Sequence, residues 1–146
     1  MGYQFETMSQ SRLEEFLGAP RNAIVATIRK SGSPHISPVW YLYENEKIYF
    51  PLLTDSVKYK NLKRDPRVSI CIDGAFPDMR AVIVEGTADL IEDSREAEMY
   101  RRICRRYYET EEENLQGDKT FHNWGRAAVV MVTPQRIRSQ DYEGWE

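Results

Sequence analysis

The stretch from Ile48 to Ser69 constrains this chain more than any other, because it changes backbone type three times within a short span. It reads as a strand, a short polar turn, a helix of about two turns, and the start of a second strand. Thr54, Asp55 and Ser56 form the turn, and each carries an oxygen able to cap the helix that follows. Lys58 then falls in the first helical turn, beside backbone N–H groups that have no partner inside the helix. Those donors, the positive end of the helix dipole and a lysine together suit a phosphate. Asp65-Pro66 ends the helix, since the residue before a proline is pushed out of the helical region. Read locally, the stretch also fits a well-capped surface helix with solvated lysines.

Around it the chain is written mostly in strands. Ser11-Arg12-Leu13-Glu14 has the form of a capping box, and Leu13, Phe16 and Leu17 make an apolar stripe, so a short helix precedes Gly18-Ala19-Pro20. Asn22 to Arg29 is rich in β-branched and apolar residues and reads as a strand. A turn at Lys30 to Ser33 leads into a second strand, Pro34 to Tyr43, in which Pro38 cannot donate to a ladder and implies an edge or a bulge. Glu44-Asn45-Glu46 turns the chain into Lys47 to Leu53, so a three-stranded meander is expected before the central helix. After Arg67 to Asp73 comes a loop with Gly74 and Pro77, then a long strand from Arg80 to Ile91 with Gly86 as a bulge or bend. Ser94 to Tyr108 is predicted helical, with Ala97, Tyr100, Cys104 and Tyr107 or Tyr108 facing inward. Glu109 to Asn123 has no clear period. Gly125 to Val132 is the last clear strand, resuming around Arg136 to Arg138 after Thr133-Pro134. The expected architecture is mainly β: one domain over residues 1–146, a six-stranded antiparallel barrel with flanking helices.

Composition removes several functions. With 41% apolar and 29% charged residues the chain is an ordinary globular sequence, and its net charge of −3 exerts no overall pull toward nucleic acid. It has no apolar run of membrane-spanning length, and the first residues lack the charged and apolar regions of a signal peptide, so a cytoplasmic protein with no membrane partner is expected. Cys71 and Cys104 are far apart and have no metal or redox spacing. His35 and His122 are the only histidines and have no acidic residue at ligand spacing, so no metal site is expected. No serine, cysteine or histidine arrangement marks a nucleophile. A second constellation is Ser37-Pro38-Val39-Trp40, where a proline within a strand frees neighbouring backbone groups and Trp40 adds aromatic surface.

Taken in order, Pro34-His35-Ile36-Ser37-Pro38-Val39-Trp40, Thr54, Ser56-Val57-Lys58-Tyr59-Lys60-Asn61-Leu62, Asp65-Pro66-Arg67-Val68 and Val84-Glu85-Gly86-Thr87-Ala88 resemble the pyridoxamine 5′-phosphate oxidase-like, FMN-binding split-barrel superfamily. Within it they look most like the small flavin- or deazaflavin-dependent reductases. The resemblance covers roughly Arg21 to Ile91 and is weaker over Trp124 to Ile137. It implies a six-stranded split barrel, a homodimer, and a flavin in each of two grooves between subunits. By position, Ser56 and Lys58 would hold the cofactor phosphate with Thr54 alongside. Ser37, Pro38, Val39 and Trp40 would line the ring, and Trp124 and Arg126 resemble positions that approach it from the partner.

The expected activity is therefore an FMN-dependent oxidoreductase passing hydride to a small conjugated organic molecule. The alternatives are a reductase using the deazaflavin coenzyme F-420, or a non-catalytic flavin- or haem-binding carrier or sensor with His35 and His122 as candidate axial ligands. True pyridoxamine 5′-phosphate oxidases carry an arginine near the position of Ser37 and an arginine-rich last segment. This chain shares neither, so that activity itself is not expected. No side chain is singled out as acid or base, although Tyr41, Tyr59 and His35 could each donate a proton.

Overall fold

A computed structural model of the chain describes residues 7–122 and 126–141, without the side chains of 120–122. In chain order the elements are α1 (Gln10–Gly18), β1 (Ala23–Ile28), β2 (Pro34–Val39), β3 (Leu42–Glu44), β4 (Lys47–Leu53), α2 (Val57–Arg64), β5 (Arg67–Asp73), β6 (Ala81–Ile91), α3 (Glu96–Arg105), α4 (Glu111–His122) and β7 (Ala127–Gln140). The seven strands form one antiparallel sheet in the order β2-β1-β5-β6-β7-β4-β3. Inward residues alternate along β4, β5 and β6, as a sheet with one buried face requires. Val25 of β1 and Phe50 of β4, strands far apart in the sheet order, are both fully buried in one cluster with Ile70 and Val84. The sheet therefore curls around its own core as a half-barrel. Among the described residues no helix is long and apolar enough to cross a membrane.

Seven strands rather than six result from a break in the predicted second strand. β2 ends at Val39, and the chain crosses from one edge of the sheet to the other before β3 begins. The expected meander is thus two separate hairpins, β1–β2 and β3–β4. The break is held by side chains instead of a strand neighbour. The Tyr41 N–H donates to Tyr107 Oη at 3.0 Å, and the Tyr41 carbonyl accepts from the Arg106 guanidinium. Tyr41 Oη reaches the carbonyls of Leu17 (2.9 Å) and Ala19 (3.0 Å), while Arg106 also donates to the Gly18 carbonyl at 2.9 Å. The end of α3, the end of α1 and the β2–β3 crossing are thereby tied at one point. Pro38 sits on an edge strand, as its missing N–H requires.

Other boundaries move for local reasons. Ser9, not Ser11, caps α1 by accepting the Arg12 N–H at 3.3 Å. Helix α3 is shorter than predicted and buries Ile103 and Cys104, leaving Ala97 exposed. The polar segment after Glu109 forms α4, and β7 runs through Pro134 without interruption. That continuity depends on Gly86. The β6–β7 register shifts between Glu85 and Gly86, opposite Pro134, so the proline lies where the ladder is already broken. A Cβ at Gly86 would stand 2.4 Å from the Thr133 carbonyl oxygen. Gly86→Ala is expected to cost about 1–3 kcal/mol through this backbone clash, read as a lower urea midpoint. An unchanged midpoint would show that the bulge does not need glycine.

Candidate functional site

A cavity of about 540 Å³ lies where the ends of β2 and β4 meet the start of α2, and α3 and α4 complete its wall. Pro38 and Val39 line it from β2, Trp40 from the crossing that follows, and Pro51, Leu52 and Leu53 from β4. Its size lies within the range of small-molecule sites.

The polar end is built by α2. Ser56 is the residue that caps this helix: its Oγ accepts the Tyr59 N–H at 3.2 Å and donates to the Leu53 carbonyl at 2.6 Å. Buried Asn61 fixes the helix on the sheet by donating to Thr27 Oγ1 at 3.0 Å. Lys58, in the helix's first turn, extends into the cavity wall and donates from Nζ to Ser37 Oγ of β2 at 3.0 Å. It is half-buried, and among the described residues no carboxylate pairs with it. Burial lowers its pKa below the usual lysine range. Lys63 of the same helix makes the contrast, with Glu92 at 3.0 Å and a raised pKa caused first by that hydrogen bond. A cation drawn out of water against a single neutral hydroxyl leaves room for an anion at Lys58.

The other end is aromatic. The Trp40 ring stacks on Tyr107 with centroids 4.7 Å apart and planes 6° apart, and meets Tyr108 edge-on at 5.4 Å. Tyr100, Cys104 and Tyr108 line the cavity from α3 and the turn after it, and Gly117 of α4 lies behind Tyr108.

Of the positions singled out in the sequence, Pro38, Val39, Trp40, Ser56 and Lys58 line this cavity, and Ser37 joins them through Lys58. Thr54 and Arg126 meet each other instead. The Thr54 N–H (2.9 Å) and its hydroxyl (3.1 Å) both donate to the Arg126 carbonyl, and neither residue is in the cavity wall. Trp124 and the His122 side chain lie outside the described residues. His35 follows the same face of β2 as Ser37 but is not in the wall, and its buried Nδ1 has no partner among the described residues. Its pKa is lowered, first by burial and then by Arg29 and Lys58. Tyr41 and Tyr59 turn away: burial pushes the Tyr41 phenol up to about 12, and Tyr59 Oη donates to Glu92 at 2.6 Å. The aromatic wall from α3 was signalled only as an inward helical face. Nothing in the spacing tells a core-facing stripe from a cavity-facing one.

The pyridoxamine 5′-phosphate oxidase family model matches residues 9–141 of the chain. Among solved structures, the conserved hypothetical protein Rv2991 from Mycobacterium tuberculosis is 28% identical, aligns over 98% of this chain and 91% of its own, and superposes with a TM-score of 0.79. An F420 reductase is 23% identical over 85% of this chain and 94% of its own, with a TM-score of 0.67. An FAD-binding protein from Mesorhizobium loti is 18% identical over 94% and 96%, with a TM-score of 0.62. The last two likenesses bear on the fold alone.

Proposed function

This chain belongs to the pyridoxamine 5′-phosphate oxidase family, and on that premise we propose that its cavity holds a flavin-type cofactor, FMN or a 5-deazaflavin, in an oxidoreductase. The observation that carries this reading is the half-buried Lys58 ammonium, which among the described residues has a serine hydroxyl and no carboxylate for company. FMN and the deazaflavin both join a phosphate to a fused, largely apolar ring system, and the two ends of the cavity fit those two parts. Fold relatives described as an F420 reductase and an FAD-binding protein keep both ring systems in view.

When bound, such a cofactor supplies hydride transfer to a small conjugated organic substrate. The chain's own residues bind and orient. Lys58 and the free N–H groups at the start of α2 hold the phosphate, with Ser56 fixing the helix end and Ser37 aiming the lysine. The segment Ser37 to Trp40, on an edge strand with one side unpaired, offers backbone groups and an indole to the ring. Thr54 and Arg126 close the turn before α2, and Trp124 is proposed to approach the ring from a partner copy.

To separate an enzyme from a carrier, the loaded protein is reduced without oxygen and mixed with a conjugated enone. Reoxidation faster than that of the free reduced cofactor supports catalysis; equal rates would leave a carrier.

The same reading includes a homodimer. The outer face of β1 and β2 carries Ile24 and Ile36, 39% and 66% exposed, with Pro38 beside Ile24 by register. On the adjoining strands Cys71 pairs with Ile24 and Ile83 pairs with Cys71. A second copy would cover this apolar face. Ile36→Asp is expected to convert a sedimenting dimer to monomer. A parent protein that already sediments as a monomer would contradict the shared groove.

A further inference from the structure

We infer that the loop between β5 and β6, residues 74–80, anchors a second copy of this chain, with Phe76 as the side chain that buries in the contact. This rests on the reading of the protein as a homodimer and adds the residue that anchors it.

Phe76 is 89% exposed, the most of any large apolar side chain among the described residues, and Met79 beside it is 42% exposed. Apolar side chains scattered singly over a surface are ordinary. What sets this one apart is the order of the loop that carries it. The Gly74 N–H donates to the Arg80 carbonyl at 2.8 Å, and the Asp78 N–H to the Ala75 carbonyl at 2.9 Å. The Asp73 carboxylate accepts the Ala75 N–H at 3.1 Å, and the Asp78 carboxylate accepts the Arg80 N–H at 3.1 Å. Glycine is needed at position 74, since a Cβ there would stand 2.6 Å from the Asp78 carbonyl oxygen.

Side chains complete the bracing. Asp78 pairs with the guanidinium groups of Arg80 (2.8 Å) and Arg21 (3.3 Å), and Arg21 also donates to the Gly74 carbonyl at 3.2 Å. Both guanidinium carbons lie over the ring of fully buried Phe16 in α1, 4.2 Å (Arg21) and 5.2 Å (Arg80) from its centroid. The loop is thus tied to the core while its phenylalanine stays in water. An aromatic on a loop ordered before binding loses little entropy when it docks, as interface anchors require.

Position and charge point to a second copy. The loop joins β5 to β6, whose Cys71 and Ile83 extend the outer apolar face of Ile24, Ile36 and Pro38. Those four strands, about 4.8 Å apart and paired over about six residues, span roughly 400 Å² of sheet. A stable partner buries about 800 Å² on each side. A contact centred on the sheet must therefore run past its ends, and a covered phenylalanine supplies about 150–250 Å² more. A membrane surface fits less well. Arg80 is the only basic residue of the loop, and both it and Arg21 are paired with Asp78, which leaves no free cation there for an anionic headgroup. A charge-balanced rim around an apolar tip suits self-association, in which each copy meets its own charges.

The test combines sedimentation with photocross-linking. Phe76→Ser should raise the dimer dissociation constant about thirtyfold, the effect of losing an anchor, and tenfold is the least that supports one. Phe76→Leu, which keeps most of the apolar bulk, should stay within fivefold of the parent. Phe76→p-benzoylphenylalanine, irradiated at a concentration where the parent is dimeric, should give a covalent dimer. That cross-link does not depend on how well the serine variant folds. A parent dimer that Phe76→Ser weakens less than tenfold, a leucine variant as weak as the serine one, or no covalent dimer overturns the anchor and leaves the homodimer standing. A parent that sediments as a monomer overturns both. If that monomer floats with vesicles of phosphatidylcholine and phosphatidylglycerol and Phe76→Ser does not, the loop docks on a membrane instead.

Discussion

Lys58→Ala is expected to lower affinity for FMN or deazaflavin about 100-fold, the loss of one or two charge-assisted hydrogen bonds to a phosphate. The fold should not suffer with it. Lys58 is half-buried and, among the described residues, bonded only to Ser37 Oγ, and burial, which lowers its pKa, disfavours the ammonium in the folded chain. Removing that charge relieves a cost, so the unfolding midpoint of the variant should equal or exceed the parent's, as at sites where function opposes stability. The sign also sets a pH dependence. Because burial lowers the Lys58 pKa, the ammonium is lost at a lower pH than an ordinary lysine would lose it, and phosphate affinity should fall there in the parent but not in Lys58→Ala. Fluorescence titration across alkaline pH reads both effects. Unchanged affinity in the variant would remove Lys58 from the site.

Arg106→Ala should be the most damaging single change outside the apolar core, costing about 3 kcal/mol in urea unfolding because partly buried acceptors lose a charged donor together. The guanidinium serves the carbonyls of Tyr41, Gly18 (2.9 Å) and Leu17 (3.3 Å), and it lies 4.9 Å from the Tyr41 ring centroid. These contacts hold the crossing from β2 to β3. Trp40 sits at that crossing, so the variant should also bind a planar ring less tightly while leaving the Lys58–Ser37 pair in place. Arg106→Lys should recover little, since one ammonium cannot match the guanidinium fork. A loss below about 1 kcal/mol, the value of an isolated surface contact, would mean that the crossing is held by Tyr107 alone.

The parts of the fold that were legible in the sequence are those fixed by local chemistry. Ser56 before α2, Asp65-Pro66 after it, and Gly86 at the bulge each act within a few residues, and each lies where the pattern put it. The polar end of the cavity was legible for the same reason, because a helix start with a lysine in its first turn is a local arrangement. The break at Trp40-Tyr41 was not. Its backbone groups are satisfied by Tyr107 and Arg106, more than sixty residues away in the chain, and an alternating strand pattern runs straight through it. Helix α4 was hidden because its residues are mostly polar and exposed, leaving no apolar stripe to betray the period. That Gly117 lies behind the cavity depends wholly on where Tyr108 lands.

The most direct measurement is titration of the purified protein with FMN and, separately, with the deazaflavin, followed by cofactor absorbance and fluorescence. The expected result is saturable binding of one of the two at one cofactor per chain, weakened about 100-fold by Lys58→Ala. Binding of neither, or binding that Lys58→Ala leaves intact, would contradict a flavin-type cofactor in this cavity.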